Sequence, residues 1–75
     1  NDLTLDTANG GFYFSDPGGS SLEKLIGTLH YVDAKGKTTV LDAGLAFPNG
    51  VVLTPNGKKL YLAESQKNRV LVYDV

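Results

Sequence analysis

The chain matches itself at a constant offset of 48 residues, and this internal repeat restricts its fold more than any other feature. The matching pairs are Asn1 and Asn49, Leu5 and Leu53, Phe12 and Leu60, Tyr13 and Tyr61, Phe14 and Leu62, and Asp16 and Glu64. Beyond Asp16 the offset falls to 42, which aligns Leu29 with Leu71 and Tyr31 with Tyr73. The difference of six residues indicates an insertion within residues 17–26 of the first copy. A period of this length is typical of β-propeller blades, which are repeats of four short strands.

Apolar residues recur at every second position, as expected for strands and not for helices. Leu3 and Leu5, for example, alternate with Thr4 and Asp6. Turn-forming glycines separate such runs, as in Asn56-Gly57, because tight hairpins require positive φ. The pattern predicts seven strands, at about 3–6, 12–16, 27–33, 38–42, 51–54, 60–64 and 69–74.

The predicted fold class is all-β, an antiparallel meander. Only the connection at 17–26 is long, and a parallel crossover needs a dozen residues or more. The first blade covers about residues 1–44, and the start of the next covers about residues 49–75. The chain therefore holds somewhat less than two blades. A propeller ring closes with at least four blades, so we expect only part of a ring.

Composition excludes several classes of function. Seven Lys and Arg face eight Asp and Glu, a net charge of −1, which predicts neither a nucleic-acid partner nor a membrane surface. No apolar run approaches the roughly 20 residues of a membrane-spanning helix. There is no Cys, and a single His cannot form a two-His metal cluster. No signal-peptide pattern precedes the first strand. Asn1 resembles an interior residue of a longer chain, and a processed or excised piece is as consistent with the sequence as a complete protein. We expect the protein to be soluble, either cytoplasmic or periplasmic.

Polar side chains collect at one end of the predicted blades. The first strand of a blade lines the central channel, and its start lies on the same face of the ring as the loop between the second and third strands. This geometry places Asn1, Asn49, Asp16, Glu64 and the loop 17–26 on one face. Carboxamide and carboxylate oxygens at a channel mouth are suitable ligands for a hard divalent cation such as calcium or magnesium.

Each of these residues also has a structural interpretation. Asn49-Gly50 has the composition of a tight turn, and Asn1 could cap a strand. For Asp16 and Glu64, a solvated strand end is favoured over a site. For His30 the sequence predicts an ordinary position on a sheet face. The tyrosines recur at matching positions, which favours packing over chemistry; they are Tyr13, Tyr31, Tyr61 and Tyr73.

The combination of motifs resembles the SMP-30/gluconolactonase family over essentially the whole chain. The motifs are Asn1-Asp2-Leu3-Thr4-Leu5-Asp6, Gly10-Gly11-Phe12-Tyr13-Phe14-Ser15-Asp16-Pro17, Gly44-Leu45-Ala46-Phe47-Pro48-Asn49-Gly50-Val51, Tyr61-Leu62-Ala63-Glu64-Ser65 and Asn68-Arg69. The resemblance implies part of a six-bladed β-propeller and of a metal-dependent lactone hydrolase, with calcium the expected cation. It implies that Asn49 is a metal ligand and that Asn1 contacts the substrate, a sugar or other lactone.

The other ligands that the resemblance implies have no counterpart in the chain. They are a Glu from an earlier blade and an Asp from a later blade, and this Asp is also the expected general base. The remaining blades, from the same parent or from other chains, are therefore expected partners. Two hypotheses follow: a segment of a metal-dependent lactonase, or a non-catalytic propeller segment that acts as a binding or structural module. Related propellers, such as strictosidine-synthase-like or NHL-type proteins, share these blade patterns.

Overall fold

The chain forms seven strands in two antiparallel sheets, as seen in a computed structural model that describes residues 1–75. The strands are β1 (Leu3–Asp6), β2 (Gly11–Asp16), β3 (Gly27–Val32), β4 (Thr38–Leu45), β5 (Pro48–Leu53), β6 (Lys59–Glu64) and β7 (Arg69–Asp74). The first sheet has the order β1-β2-β3-β4, and the second has the order β5-β6-β7. The predicted all-β antiparallel meander is confirmed, and the arrangement is consistent with part of a propeller.

Most predicted strand ends agree with the structure to within a residue, but the junction between the two sheets does not. Strand β4 continues to Leu45 and β5 already begins at Pro48, so only Ala46 and Phe47 connect the sheets. These extensions lack hydrophobic alternation and form by pairing with distant residues, Gly27 with Leu45 and Pro48 with Glu64. Non-local pairing of this kind leaves no local sequence signal.

Strand pairing confirms the offset of 48 in the first two strands of each sheet. Leu3 pairs with Phe14 and Leu5 with Phe12, while at the equivalent positions Val51 pairs with Leu62 and Leu53 with Leu60. The two sheets therefore share one register at these strands. We call residues 48 apart in this part of the chain equivalent positions.

The predicted offset of 42 for the later strands is wrong by one residue. Ser15 pairs with Leu29, whereas the equivalent Ala63 pairs with Val70, which gives an offset of 41. A slip of one residue transfers a side chain to the opposite face of a sheet. Leu71 therefore matches His30 and not Leu29. The β6–β7 connection sets this register with a short 3-10 turn, Ser65–Lys67, that ends at Asn68 in the left-handed conformation.

The two sheets stack face to face, and the core lies between them. The first sheet contributes Tyr13 and Leu29, and the second contributes Leu60 and Leu62. Leu45 and Val51 complete the buried cluster. The structure has no helix of the length and apolarity needed to cross a membrane.

Equivalent positions lie on opposite sides of this stack. Tyr13 is buried between the sheets, while the equivalent Tyr61 is 41% exposed on the outer face of the second sheet. Conversely Val51 is 6% exposed, while the equivalent Leu3 is 55% exposed on the outer face of the first sheet. Matching positions in the repeat therefore do not have matching environments, because each sheet buries a different face.

Candidate functional site

Asn1 and Asn49, the two asparagines singled out by the repeat, lie in direct contact. The side-chain Nδ2 of Asn1 donates a hydrogen bond to Oδ1 of Asn49 at 2.5 Å. Asn1 is exposed just before β1, and Asn49 is half-buried near the start of β5. The fold thus brings together two side chains that are 48 residues apart in the sequence.

Asn49-Gly50 does not form the tight turn that its composition allows. Both residues lie inside β5, where the register with β6 shifts between Pro48 and Val51. Irregularities of this type bend a strand and re-aim its side chains, and they are common beside functional sites. By contrast, Asn56-Gly57 is a hairpin turn as predicted, closed by the bond from the Gly57 N–H to the Thr54 carbonyl at 2.8 Å.

Polar side chains of the first sheet attach β5 to β1. The hydroxyl of Ser15 donates to the main-chain carbonyl of Asn49 at 2.6 Å. The Val51 N–H donates to Oδ2 of Asp2 at 3.2 Å, and the Leu53 N–H donates to Oγ1 of Thr4 at 3.1 Å. These bonds satisfy main-chain groups along the free edge of β5, and they fix the strand that carries Asn49.

Glu64 is fully buried, and the predicted solvated strand end is wrong for this residue. Its Oε2 accepts the Ala46 N–H at 2.8 Å, and its Oε1 accepts Nε of Arg69 at 2.5 Å. Burial by itself raises the pKa of Glu64, but the Ala46 N–H, Arg69 and, at 3.8 Å, Lys67 outweigh it and hold the pKa below its ordinary value. The ionised carboxylate anchors the short connection that leads to Asn49.

Asp16 remains exposed, as predicted for this position. Its Oδ1 accepts the Gly18 N–H at 3.0 Å and so begins the turn into the loop 17–26. This loop contains no helix, and it contacts the connection between the sheets through Ser20, whose Oγ accepts the Phe47 N–H at 2.9 Å. The connection between the sheets is therefore held both by this loop, which precedes it in the sequence, and by Glu64, which follows it.

The contacts of His30 and of the two hydrogen-bonded tyrosines indicate structural roles for these residues. His30 lies on the sheet face as predicted and stacks on Phe14, with ring centroids 4.5 Å apart. The Tyr31 hydroxyl donates to Asp6 at 2.9 Å, and this bond raises the pKa of Tyr31 to about 12. Burial, together with a hydrogen bond of 2.8 Å to Asp42, raises the pKa of Tyr73. At neutral pH both phenols are protonated donors that join strands.

Three residues of this site were not predicted from the sequence: Ser15, Asp2 and Ser20. A signal was present for the first two, because the repeat aligns Ser15 with Ala63 and Asp2 with Gly50. A polar side chain in one copy where the other has a small or missing side chain indicates a function specific to that copy. Ser20 lies in the insertion and has no equivalent.

The two asparagines provide the type of ligand atom that a hard divalent cation prefers, but they are too few to complete its coordination. Two carboxamide oxygens are neutral ligands that calcium accepts, and Oδ1 of Asn49 has a second lone pair beyond the bond from Asn1. The nearby Asp2 carboxylate already accepts the Leu3 and Val51 N–H groups. No group of three or more His, Cys, Asp or Glu side chains is placed to hold a metal ion.

The sequence of the chain matches a known class of proteins. The whole chain, residues 1–75, matches the family described as SMP-30/Gluconolactonase/LRE-like region, and it therefore belongs to that family. The predicted family is confirmed.

The curated relatives that the chain matches have a more specific name than the family. The chain is similar to lactonase drp35 of two strains of Staphylococcus epidermidis, with 37% identity to each over 70 residues. The matched region is 92% of this chain and 21% of each relative, so the chain spans about a fifth of their length. No solved structure matches the chain significantly.

Proposed function

We propose that the chain is a segment of a metal-dependent lactone hydrolase and contributes part of its metal and substrate site. In this proposal Asn49 is a ligand of a divalent cation, calcium, and Asn1 binds the substrate. The observation that carries the proposal is the contact between the two asparagines, 2.5 Å from Nδ2 to Oδ1, in a chain that belongs to the gluconolactonase family. The similarity to two lactonases supports the reaction class.

The roles proposed for the two asparagines follow from the side-chain oxygen lone pairs that the hydrogen bond between them leaves unused. A bound divalent cation supplies polarisation of the lactone carbonyl and stabilises the charge that develops on its oxygen. Asn49 holds the cation through its carboxamide oxygen, while the bond from Asn1 orients that carboxamide. The Oδ1 of Asn1 is left to accept a hydrogen bond from a hydroxyl of a sugar lactone. The carboxylate that activates water comes from sequence outside this chain.

The test is lactone hydrolysis by a polypeptide that contains this segment together with further propeller sequence. We expect turnover of a sugar δ-lactone, followed by proton release in a pH-stat, to fall at least about 100-fold after chelation with EDTA and to return with added calcium. Parallel additions of magnesium, manganese and zinc identify the preferred cation. Turnover that is unaffected by chelation would contradict the metal-dependent mechanism, and binding of lactone without hydrolysis would favour a non-catalytic binding module.

We further propose that other blades cover the two outer faces of the segment. The outer face of the first sheet carries Leu5, which is 62% exposed, and the outer face of the second carries Val70 and Val72, at 63% and 59%. The first of these faces is equivalent to the face that the second sheet buries in the core. A surface with this composition is covered by a further sheet, and not by water, in a repetitive stack.

This proposal predicts that the isolated chain of 75 residues is not a stable monomer. A stack of two sheets has little core, and its exposed edges pair with other chains. At micromolar concentration we expect circular dichroism to show no cooperative thermal transition, or ultracentrifugation to show association. A folded, cooperative monomer would contradict the need for further blades.

A pair of matched variants tests the same proposal in the longer polypeptide. Val70→Thr changes an outer-face residue, and Leu22→Thr changes a residue that is 56% exposed in the loop 17–26. If another blade covers Val70, its replacement costs about 1–2 kcal/mol in urea unfolding, while Leu22→Thr stays within about 0.5 kcal/mol. Equal, small effects of the two variants would indicate that the outer face is in water.

A further inference from the structure

We infer that Ser15 is a positioning residue that holds Asn1 and Asn49 side by side. The inference rests on the proposed function for its consequence in cation binding, but the contacts that carry it belong to the fold. Ser15 lies near the end of β2 and is fully buried, whereas Asn1 is exposed and Asn49 is half-buried. Ser15 therefore touches no ligand and acts through its neighbours.

Every polar atom of Ser15 contacts one of the two segments that carry the asparagines. The hydroxyl donates to the Asn49 carbonyl at 2.6 Å, and the Ser15 carbonyl accepts a hydrogen bond from the main-chain nitrogen of Asn1. The Ser15 N–H donates to the Asp2 carbonyl at 3.0 Å. One buried residue thus connects the start of β1 to the irregular part of β5, and no other residue is hydrogen-bonded to both asparagines through its main chain and side chain.

Comparison of the two copies of the repeat indicates that the sheet itself does not require a serine at this position. At equivalent positions of the second sheet, Ser15 is replaced by Ala63, Asp2 by Gly50 and Thr4 by Val52. All three polar side chains of the first copy bond to β5, and none of their counterparts has a side-chain donor or acceptor. The second sheet pairs its strands with alanine at the serine position. The hydroxyl is therefore specific to the boundary where the two asparagines meet.

The consequence for a cation site follows from the position of Asn49. Its carbonyl lies at the register shift of β5, where regular sheet pairing does not restrain the main chain. The bond from Ser15 replaces that restraint and so fixes the main chain from which the Asn49 carboxamide projects toward Asn1. Loss of a residue that orients a metal ligand typically costs 10–100-fold in metal affinity.

The test compares Ser15→Ala with Ser65→Ala in the polypeptide that contains the segment. Ser65 is a matched control, because its hydroxyl also donates to a carbonyl of the same stretch, that of Phe47, at 2.7 Å. The first readout is the pair of side-chain amide resonances of Asn1 and Asn49 in cation-free, ¹⁵N-asparagine-labelled protein. We expect both to shift in Ser15→Ala and to stay in place in Ser65→Ala.

The second readout is a calcium titration by calorimetry. We expect affinity about tenfold weaker in Ser15→Ala and within about twofold of the parent in Ser65→Ala. Unchanged resonances and affinity in Ser15→Ala, or failure of that variant to fold, would overturn the inference and leave the proposed function standing. If the parent binds no calcium, the proposed cation site fails, and the amide resonances still decide whether Ser15 positions the pair.

Discussion

Replacing Asn49 by alanine is expected to weaken calcium binding at least about tenfold and to lower lactone hydrolysis by a similar or larger factor. The change removes the proposed oxygen ligand, together with the acceptor that holds the Asn1 side chain at 2.5 Å. The backbone bond from Ser15 to the Asn49 carbonyl does not depend on the side chain, so the strand stays in place. The measurements are a calorimetric calcium titration and lactone turnover at saturating calcium.

A further Asn-Gly pair of the chain, Asn56-Gly57, supplies a matched control. Asn56→Ala removes a carboxamide that accepts bonds from Thr54 and Lys58 in the hairpin between β5 and β6. We expect this variant to lose some stability and to retain the calcium affinity of the parent. If Asn49→Ala also retains its calcium affinity and turnover, Asn49 only shapes the irregular strand.

Replacing Glu64 by alanine is expected to lower the free energy of unfolding by about 2–4 kcal/mol. The substitution leaves the Ala46 N–H without its acceptor and opens a cavity at a fully buried position. The ion pair with Arg69 adds less, because half of the Arg69 side chain is exposed to solvent. Urea unfolding of the longer polypeptide, without added cation, measures the effect.

Asp74→Ala is the control for the loss of a carboxylate in an ion pair. Asp74 binds Lys59 on the surface, where the Lys59 side chain is half exposed and the Asp74 side chain is largely exposed, so the cost stays below about 1 kcal/mol. Acid provides a second check. Because the pKa of Glu64 is lowered in the fold, its stabilisation is present above its unfolded pKa and is lost as the pH falls through the folded value. Equal losses for Glu64→Ala and Asp74→Ala at neutral pH would contradict the buried anchor.

The strands and the pairing of the asparagines were predictable because their signals are local or periodic. Alternation of side chains reports a strand directly, and turn residues such as Asn56-Gly57 report the hairpins. The offset of 48 residues then places Asn1 and Asn49 at the same point of successive repeats. Neighbouring repeats in a stack bring such points together, which the hydrogen bond between the two side chains confirms.

The sequence by itself thus determined the all-β class, the shared register of the first two strands of each repeat and the family. Only the tertiary structure decided which face of each sheet is buried, because that depends on a partner sheet distant in the sequence. Ser65–Lys67 shifts β7 by one residue from the predicted register, and Leu71 changes face as a result. Glu64 and Ser15 are buried for the same reason: the connection at Ala46 and the strand carrying Asn49 pack against them and supply hydrogen-bond partners that no local pattern contains.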